Sequence, residues 1–137
     1  MKAFRELVES TIENGTMTGV DHLLADDVVF RSPVAYKPYP GKAITQAILG
    51  GVSRVFNDFR YVGQIEEGNR SILEFEATVG GKSVHGIDMI TTNDDGLISE
   101  FTVMVRPMSG ATALMEAMAA QFPQIEADAI AFMEAQK

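Results

Sequence analysis

The sequence predicts an α+β fold in which a curved antiparallel sheet wraps around helices. Three observations predict it. Apolar residues fall at helical spacing near both ends and alternate through the middle, in the order helices, strand, helix, four strands, helices. Glycine-bearing turns at Gly68-Asn69, Gly80-Gly81 and Asn93-Asp94-Asp95-Gly96 punctuate the later strands. Two hairpin registers, read independently, place the apolar sides of their strands on one face.

The elements follow in order. Residues 2 to 13 read as a helix with Phe4, Leu7, Val8, Thr11 and Ile12 on one side and a stop at Asn14-Gly15. A second short helix starts at Thr18 or Asp21, turns Leu23 and Leu24 inward and ends near Asp26-Asp27. Val28 to Pro33 reads as a strand, and Val28, Phe30 and Ser32 share a side. Val34 to Gly41, with Tyr36, Pro38, Tyr39 and Pro40, reads as a stiff loop. Gly41 to Asn57 reads as a third helix with Ile44, Ile48, Val52, Val55 and Phe56 inward. Gly50-Gly51 inside it marks close packing or a kink.

Arg60–Glu67, Arg70–Val79, Ser83–Thr92 and the segment from Leu97 to Pro107 read as antiparallel strands. Pairing Val79 with Lys82 sets Leu73 opposite Asp88, Phe75 opposite Gly86 and Ala77 opposite Val84. Glu76 then meets His85 on the other face. A two-residue loop at Asp94-Asp95 sets Asp88 opposite Phe101, Gly86 opposite Val103 and Val84 opposite Val105. Asp88 is the one acid on a face otherwise built of Val84, Gly86, Ile90, Phe101, Val103 and Val105. The face of Arg60 to Glu67 stays open, because the Gly68-Asn69 register is not fixed. After Pro107 come two helices. The first is capped by Ser109 with Leu114, Met115 and Met118 inward; the second starts at Pro123 with Ile125, Ala129, Phe132 and Met133 on one stripe.

The chain of 137 residues is read as a single domain, residues 1–137, with a C-terminal helical extension over 109–137. Its apolar content of 46% argues against disorder, and a net charge of −8 argues against nucleic acid or an anionic membrane as partner. With no cysteine there is no thiol chemistry, and no apolar run is long enough to span a bilayer. The charged start, Met-Lys-Ala-Phe-Arg-Glu, does not resemble a signal peptide, so a cytoplasmic location is expected.

Chemically, Asp88 carries the most information. A carboxyl among hydrophobes has a raised pKa and suits a general acid, a general base or a hydrogen-bond donor to a ligand carbonyl; the plainer reading is a buried acid satisfied by a neighbour. Ser32 has no adjacent histidine: His85 falls on the opposite face and His22 in a polar helix, which argues against a Ser-His-Asp hydrolase. The acids and histidines lack metal-ligand spacing, so no metal and no cofactor are expected. Ile87, Met89 and Met104 on the outer face suggest a sheet-to-sheet homodimer.

Leu24-Ala25-Asp26-Asp27-Val28-Val29-Phe30, Ser32-Pro33, Pro40-Gly41-Lys42-Ala43-Ile44, Gly86-Ile87-Asp88, Asp95-Gly96-Leu97-Ile98 and Val105-Arg106-Pro107 together resemble the NTF2-like superfamily, in its SnoaL-like and ketosteroid-isomerase-like branch. The resemblance covers about residues 3 to 107. It implies a cone with a small-molecule pocket on its concave face, and dimerisation. Asp88 matches the position where ketosteroid isomerases keep a protonated aspartic acid in the oxyanion hole. Ser32, not a carboxylate, stands where those enzymes have their base, and the first helix holds Val8 or a neighbour where they have a donor phenol.

The expectation is therefore a pocket protein for a small, mainly apolar carbonyl or enol compound. The alternatives are a cofactor-independent isomerase, cyclase or dehydratase using Asp88, and a non-catalytic dimerisation module. Phe30, Phe75, Phe101, Val103 and Val105 would form walls, Ser32 would line the pocket, and Tyr36 and Tyr39 would cover or polarise the ligand.

Overall fold

The computed structural model describes residues 1–14 and 17–137, the side chains of residues 13 and 14 excepted. Helix α1 spans Lys2–Asn14 and buries Phe4, Val8 and Thr11. The stop expected at Asn14-Gly15 lies outside the described residues. The expected second helix is a single 3-10 turn, Val20–Leu23, because Leu24 already starts a strand and is fully buried. Strand β1 spans Leu24–Arg31, and the stiff loop after it contains a two-residue strand, β2 (Tyr39–Pro40), paired antiparallel to β1. Helix α2 spans Lys42–Val55.

Four long strands follow: β3 (Asn57–Glu67), β4 (Arg70–Val79), β5 (Lys82–Thr92) and β6 (Ile98–Arg106). The sheet order is β2-β1-β6-β5-β4-β3. Its pairs are antiparallel except β1 with β6, which run parallel, so the expected all-antiparallel sheet is a mixed one. This curved, unclosed sheet packs its concave face on the helices, an α+β architecture.

The β4–β5 register matches the expectation at every quoted pair: Leu73 with Asp88, Phe75 with Gly86, Ala77 with Val84. The β5–β6 hairpin does not. Asp88 pairs with Val103, Gly86 with Val105 and Ile90 with Phe101, two residues away from the expected partners. The turn is longer than two residues. Gly96 N–H donates to Asn93 O at 3.0 Å, Asn93 N–H to Leu97 O at 2.8 Å, and Gly96 takes the left-handed φ of 78° that this loop requires. An even shift preserves the faces, so Asp88 stays on the buried side at 6% exposure.

The two expected C-terminal helices are one helix, α3, Met108–Ala135, which runs through Pro123 and has Pro107 as its N-cap residue, without a side-chain cap from Ser109. The packing explains the continuity. Leu114, Met118, Ile125 and Ala129 form one buried stripe across the proline, whereas Met115 and Met133 lie outside it, about half exposed. A Cβ on Gly51 of α2 would sit 2.7 Å from Ile125 Cδ1 and 3.6 Å from Met118 Cε, so α2 and α3 approach closely where a larger residue would displace the Ile125 side chain. The loss of one amide donor at Pro123 is offset by a helix interface on both sides of it.

Candidate functional site

A cavity of about 290 Å³ lies between the concave face of the sheet and the three helices. Its walls are mainly apolar: Phe4 and Val8 from α1, Ile48, Leu49 and Val52 from α2, Leu114 and Met118 from α3, and Phe30, Phe101 and Val103 from the sheet. Its most buried polar residue is Asp88. The pleat of β5 turns that carboxyl inward, between buried Leu73 on β4 and Val103 on β6. Burial raises the Asp88 carboxyl to about 7; the hydrogen bond it accepts from Tyr61 acts in the opposite direction. Tyr61 Oη lies 3.1 Å from Asp88 Oδ2. Burial, and then the neighbouring Asp88 charge, pushes the phenol of Tyr61 well above its usual value, so it is a hydrogen-bond donor at every working pH.

Tyr61 is the site residue that the sequence left unplaced. Arg70 pairs with Glu67 across the Gly68-Asn69 turn, and an unbroken register from there would set Tyr61 opposite Glu76, on the outer face. A bulge between Tyr61 and Gly63 slips the strand by one residue. Tyr61 then pairs with Phe75 and faces inward, while Arg60 pairs with Glu76 and faces out. The local signal was the alternation Asp58-Phe59-Arg60-Tyr61, which groups the two aromatics on one side.

The other expected site residues divide. Phe30, Ser32, Phe101 and Val103 line the cavity with Asp88. Ser32 Oγ also accepts a local hydrogen bond from Val34 N–H at 3.2 Å. Phe75 does not line the cavity. Its ring lies over Gly86, where a Cβ would meet Phe75 Cζ at 2.6 Å, and stacks on Phe59 at 5.0 Å. It is a supporting layer behind the wall. Val105 is also outside, at the end of the sheet that α3 covers; a Cβ on Gly110 of α3 would approach Val84 Cγ2 to 3.2 Å there. Tyr36 is fully solvent-exposed, and Tyr39 packs on Phe122 of α3 with ring centroids 6.1 Å apart. Neither loop tyrosine reaches the carboxyl; the phenol that does comes from β3.

Outside the cavity, His85 bonds Glu74 at 2.7 Å rather than its register partner Glu76, which bonds Arg60 at 3.3 Å. The outer face thus sets Glu74 and Glu76 beside basic side chains. Among the described residues no cluster of His, Asp and Glu is placed to hold a metal ion, and no helix is long and apolar enough to cross a membrane.

The arrangement is that of an NTF2-like protein: a bent sheet closed by helices over an apolar cavity with a polar end. Comparison with known proteins agrees. The SnoaL-like domain model matches residues 4–101, and the chain belongs to that family. It is similar to a steroid delta-isomerase from Pseudomonas aeruginosa, at 45% identity over 87% of this chain and 88% of that one, with a TM-score of 0.81. It is also similar to an uncharacterized protein with a cystatin-like fold from Silicibacter pomeroyi DSS-3, at 37% identity over 85% of this chain and 80% of that one, TM-score 0.76. An NTF2-like protein of unknown function from Mesorhizobium loti shares the fold at 16% identity, covering 75% and 93% of the two chains, TM-score 0.60. No curated protein matches the sequence.

Proposed function

We propose that the cavity binds a small, mainly apolar carbonyl or enol compound, with its oxygen directed at Asp88 and Tyr61. The observation that carries this reading is the 3.1 Å Tyr61–Asp88 hydrogen bond inside an otherwise apolar cavity. Such a cavity rewards a greasy ligand by burial and discriminates by its few polar atoms. A carboxyl near pH 7 donates to a carbonyl when protonated and accepts from an enol when ionised. The test is binding of a fused-ring enone and its phenol analogue, read by thermal shift and titration. Asp88→Asn is expected to weaken the phenol by roughly 10-fold to 100-fold, the range of a hydrogen bond to a charged group. Equal affinity in both proteins would remove the proposal.

A second reading is catalysis of a proton shift next to the carbonyl. It is favoured by the Asp88 value near neutrality and by the similarity to a protein named as a steroid delta-isomerase. The ionised Asp88 would take the α-proton, and the C–H electron pair would move to form an enolate whose oxygen accepts from Tyr61. In a β,γ-unsaturated ketone that enolate is a dienolate, and the same carboxyl would return the proton to its γ-carbon as the double bond moves from the β,γ to the α,β position, so that the carboxyl ends as it began. The α-carbon and the oxygen of one carbonyl compound are close neighbours, so two groups 3.1 Å apart can serve both. Exchange of the α-proton in heavy water should then fall by about 100-fold or more in Asp88→Asn. A further copy of this chain meeting the outer face is proposed as partner, through Met104, which is 51% exposed and pairs with Ile87.

A further inference from the structure

Tyr61 has a third neighbour that lies outside the cavity. The Arg5 guanidinium carbon sits 5.4 Å from the centroid of the Tyr61 ring. Arg5 is one-third exposed on α1, and it is fastened there: it donates to Gln64 Oε1 at 3.0 Å and its Nε lies 3.6 Å from Glu9 Oε1. Phe59 meets the same ring edge-on, with centroids 5.0 Å apart and planes at 89°. The phenol that reaches Asp88 is therefore held by a cation and an aromatic edge.

We propose that Arg5 is a positioning residue that acts through the Tyr61 ring on the Asp88 carboxyl. A cation over an aromatic face draws electron density from the ring and strengthens the O–H as a donor. A stronger donor holds the ionised carboxylate more firmly. The charged and titratable neighbours of Tyr61 are Asp88, Arg5 and Glu9, and Glu9 opposes Arg5; Asp88 is met by Tyr61. Arg5 thus shifts the pH at which the cavity's acid changes charge, from a helix that contributes no polar group to Asp88 itself. The assignment concerns the free protein and stands apart from the identity of any ligand.

The experiment is an NMR titration of the Asp88 side-chain carboxyl carbon in the wild type, Arg5→Gln, Arg5→Lys, Tyr61→Phe and the Arg5→Gln/Tyr61→Phe double variant. Arg5→Gln is expected to raise the midpoint by about 0.5 pH unit, roughly a threefold gain in proton affinity. Arg5→Lys keeps the charge but not the planar stack and should move it less. In the Tyr61→Phe background the Arg5→Gln effect should fall by more than half, since the phenol is the conduit. Gln64→Leu, which unfastens the guanidinium without removing it, provides a milder variant shifting the same way. An Arg5→Gln midpoint equal to wild type overturns the proposal. So does a shift of equal size with and without the Tyr61 hydroxyl, and so does an Asp88 that stays ionised down to pH 5 throughout.

Discussion

The two faces of the sheet handle carboxylates in opposite ways. On the outer face Glu74 and Glu76 lie beside His85 and Arg60, partly wet, in pairs of 2.7 Å and 3.3 Å. On the inner face, opposite Leu73 next to Glu74, Asp88 has no cation among the described residues and one phenol for company. Exposed pairs of the first kind contribute about 0 to 1 kcal/mol each. The second kind costs stability whenever the acid ionises. A protein that needed an acid only for its fold would place it outside, so the inner acid is where function is to be sought.

Asp88→Asn should break that contrast most. The folded pKa of Asp88, about 7, lies above its ordinary value of 3.8, so its contribution to stability is full at low pH and is lost as pH rises through about 7. The asparagine variant keeps the shape and cannot ionise. It should be more stable than wild type at pH 8, by on the order of 4 kcal/mol, and the gap should close toward pH 4. Urea unfolding at both pH values checks this; a wild type whose stability does not fall between them contradicts it.

Gly86→Ala comes next. The added carbon would lie 2.6 Å from Phe75 Cζ and push the layer behind the cavity wall, an overpacking cost of roughly 1 to 3 kcal/mol in thermal or chemical denaturation. Tyr61→Phe sharpens the comparison rather than breaking it. Without the donated O–H, the Asp88 midpoint should climb by about 1 pH unit, readable by carboxyl NMR, because the hydrogen bond favours the ionised form. The smallest effect is expected on the outer face. His85→Ala removes the partner of Glu74 and should change stability by less than about 1 kcal/mol at pH 7.

Much of this was legible in the residues, for reasons of period. Side-chain alternation with a tight Gly80-Gly81 turn fixed the β4–β5 pairing and the inward aim of Asp88. The β5–β6 loop is longer than the Asp94-Asp95 pattern predicts, yet an offset of two residues leaves every side chain on its own face. Tyr61 escaped because its bulge shifts the register by one residue, and a single slip exchanges inside for outside. The missing amide of Pro123 marks a boundary locally, but the stripe from Leu114 to Ala129 runs across it and grips α2, which lies far away in the chain, so local chemistry does not show the continuity. Tyr36 and Tyr39 were assigned by residue type alone, without a pattern to aim them.

The bond between Tyr61 and Asp88 skips a strand. In the order β5-β4-β3 it reaches over β4, whose neighbours on either side are about 9.6 Å apart when measured along a flat sheet. A tyrosine and an aspartate rising from such a plane point away from it side by side; they meet when the plane is folded toward them. The bond is therefore a chord drawn across an arc, and the acidity of Asp88 answers first to how dry the arc keeps it and then to how short the chord is. A change that lengthens the chord while the cavity stays dry is registered as a proton taken up, whereas one that lets water reach the carboxyl, as heat does, is registered as a proton released.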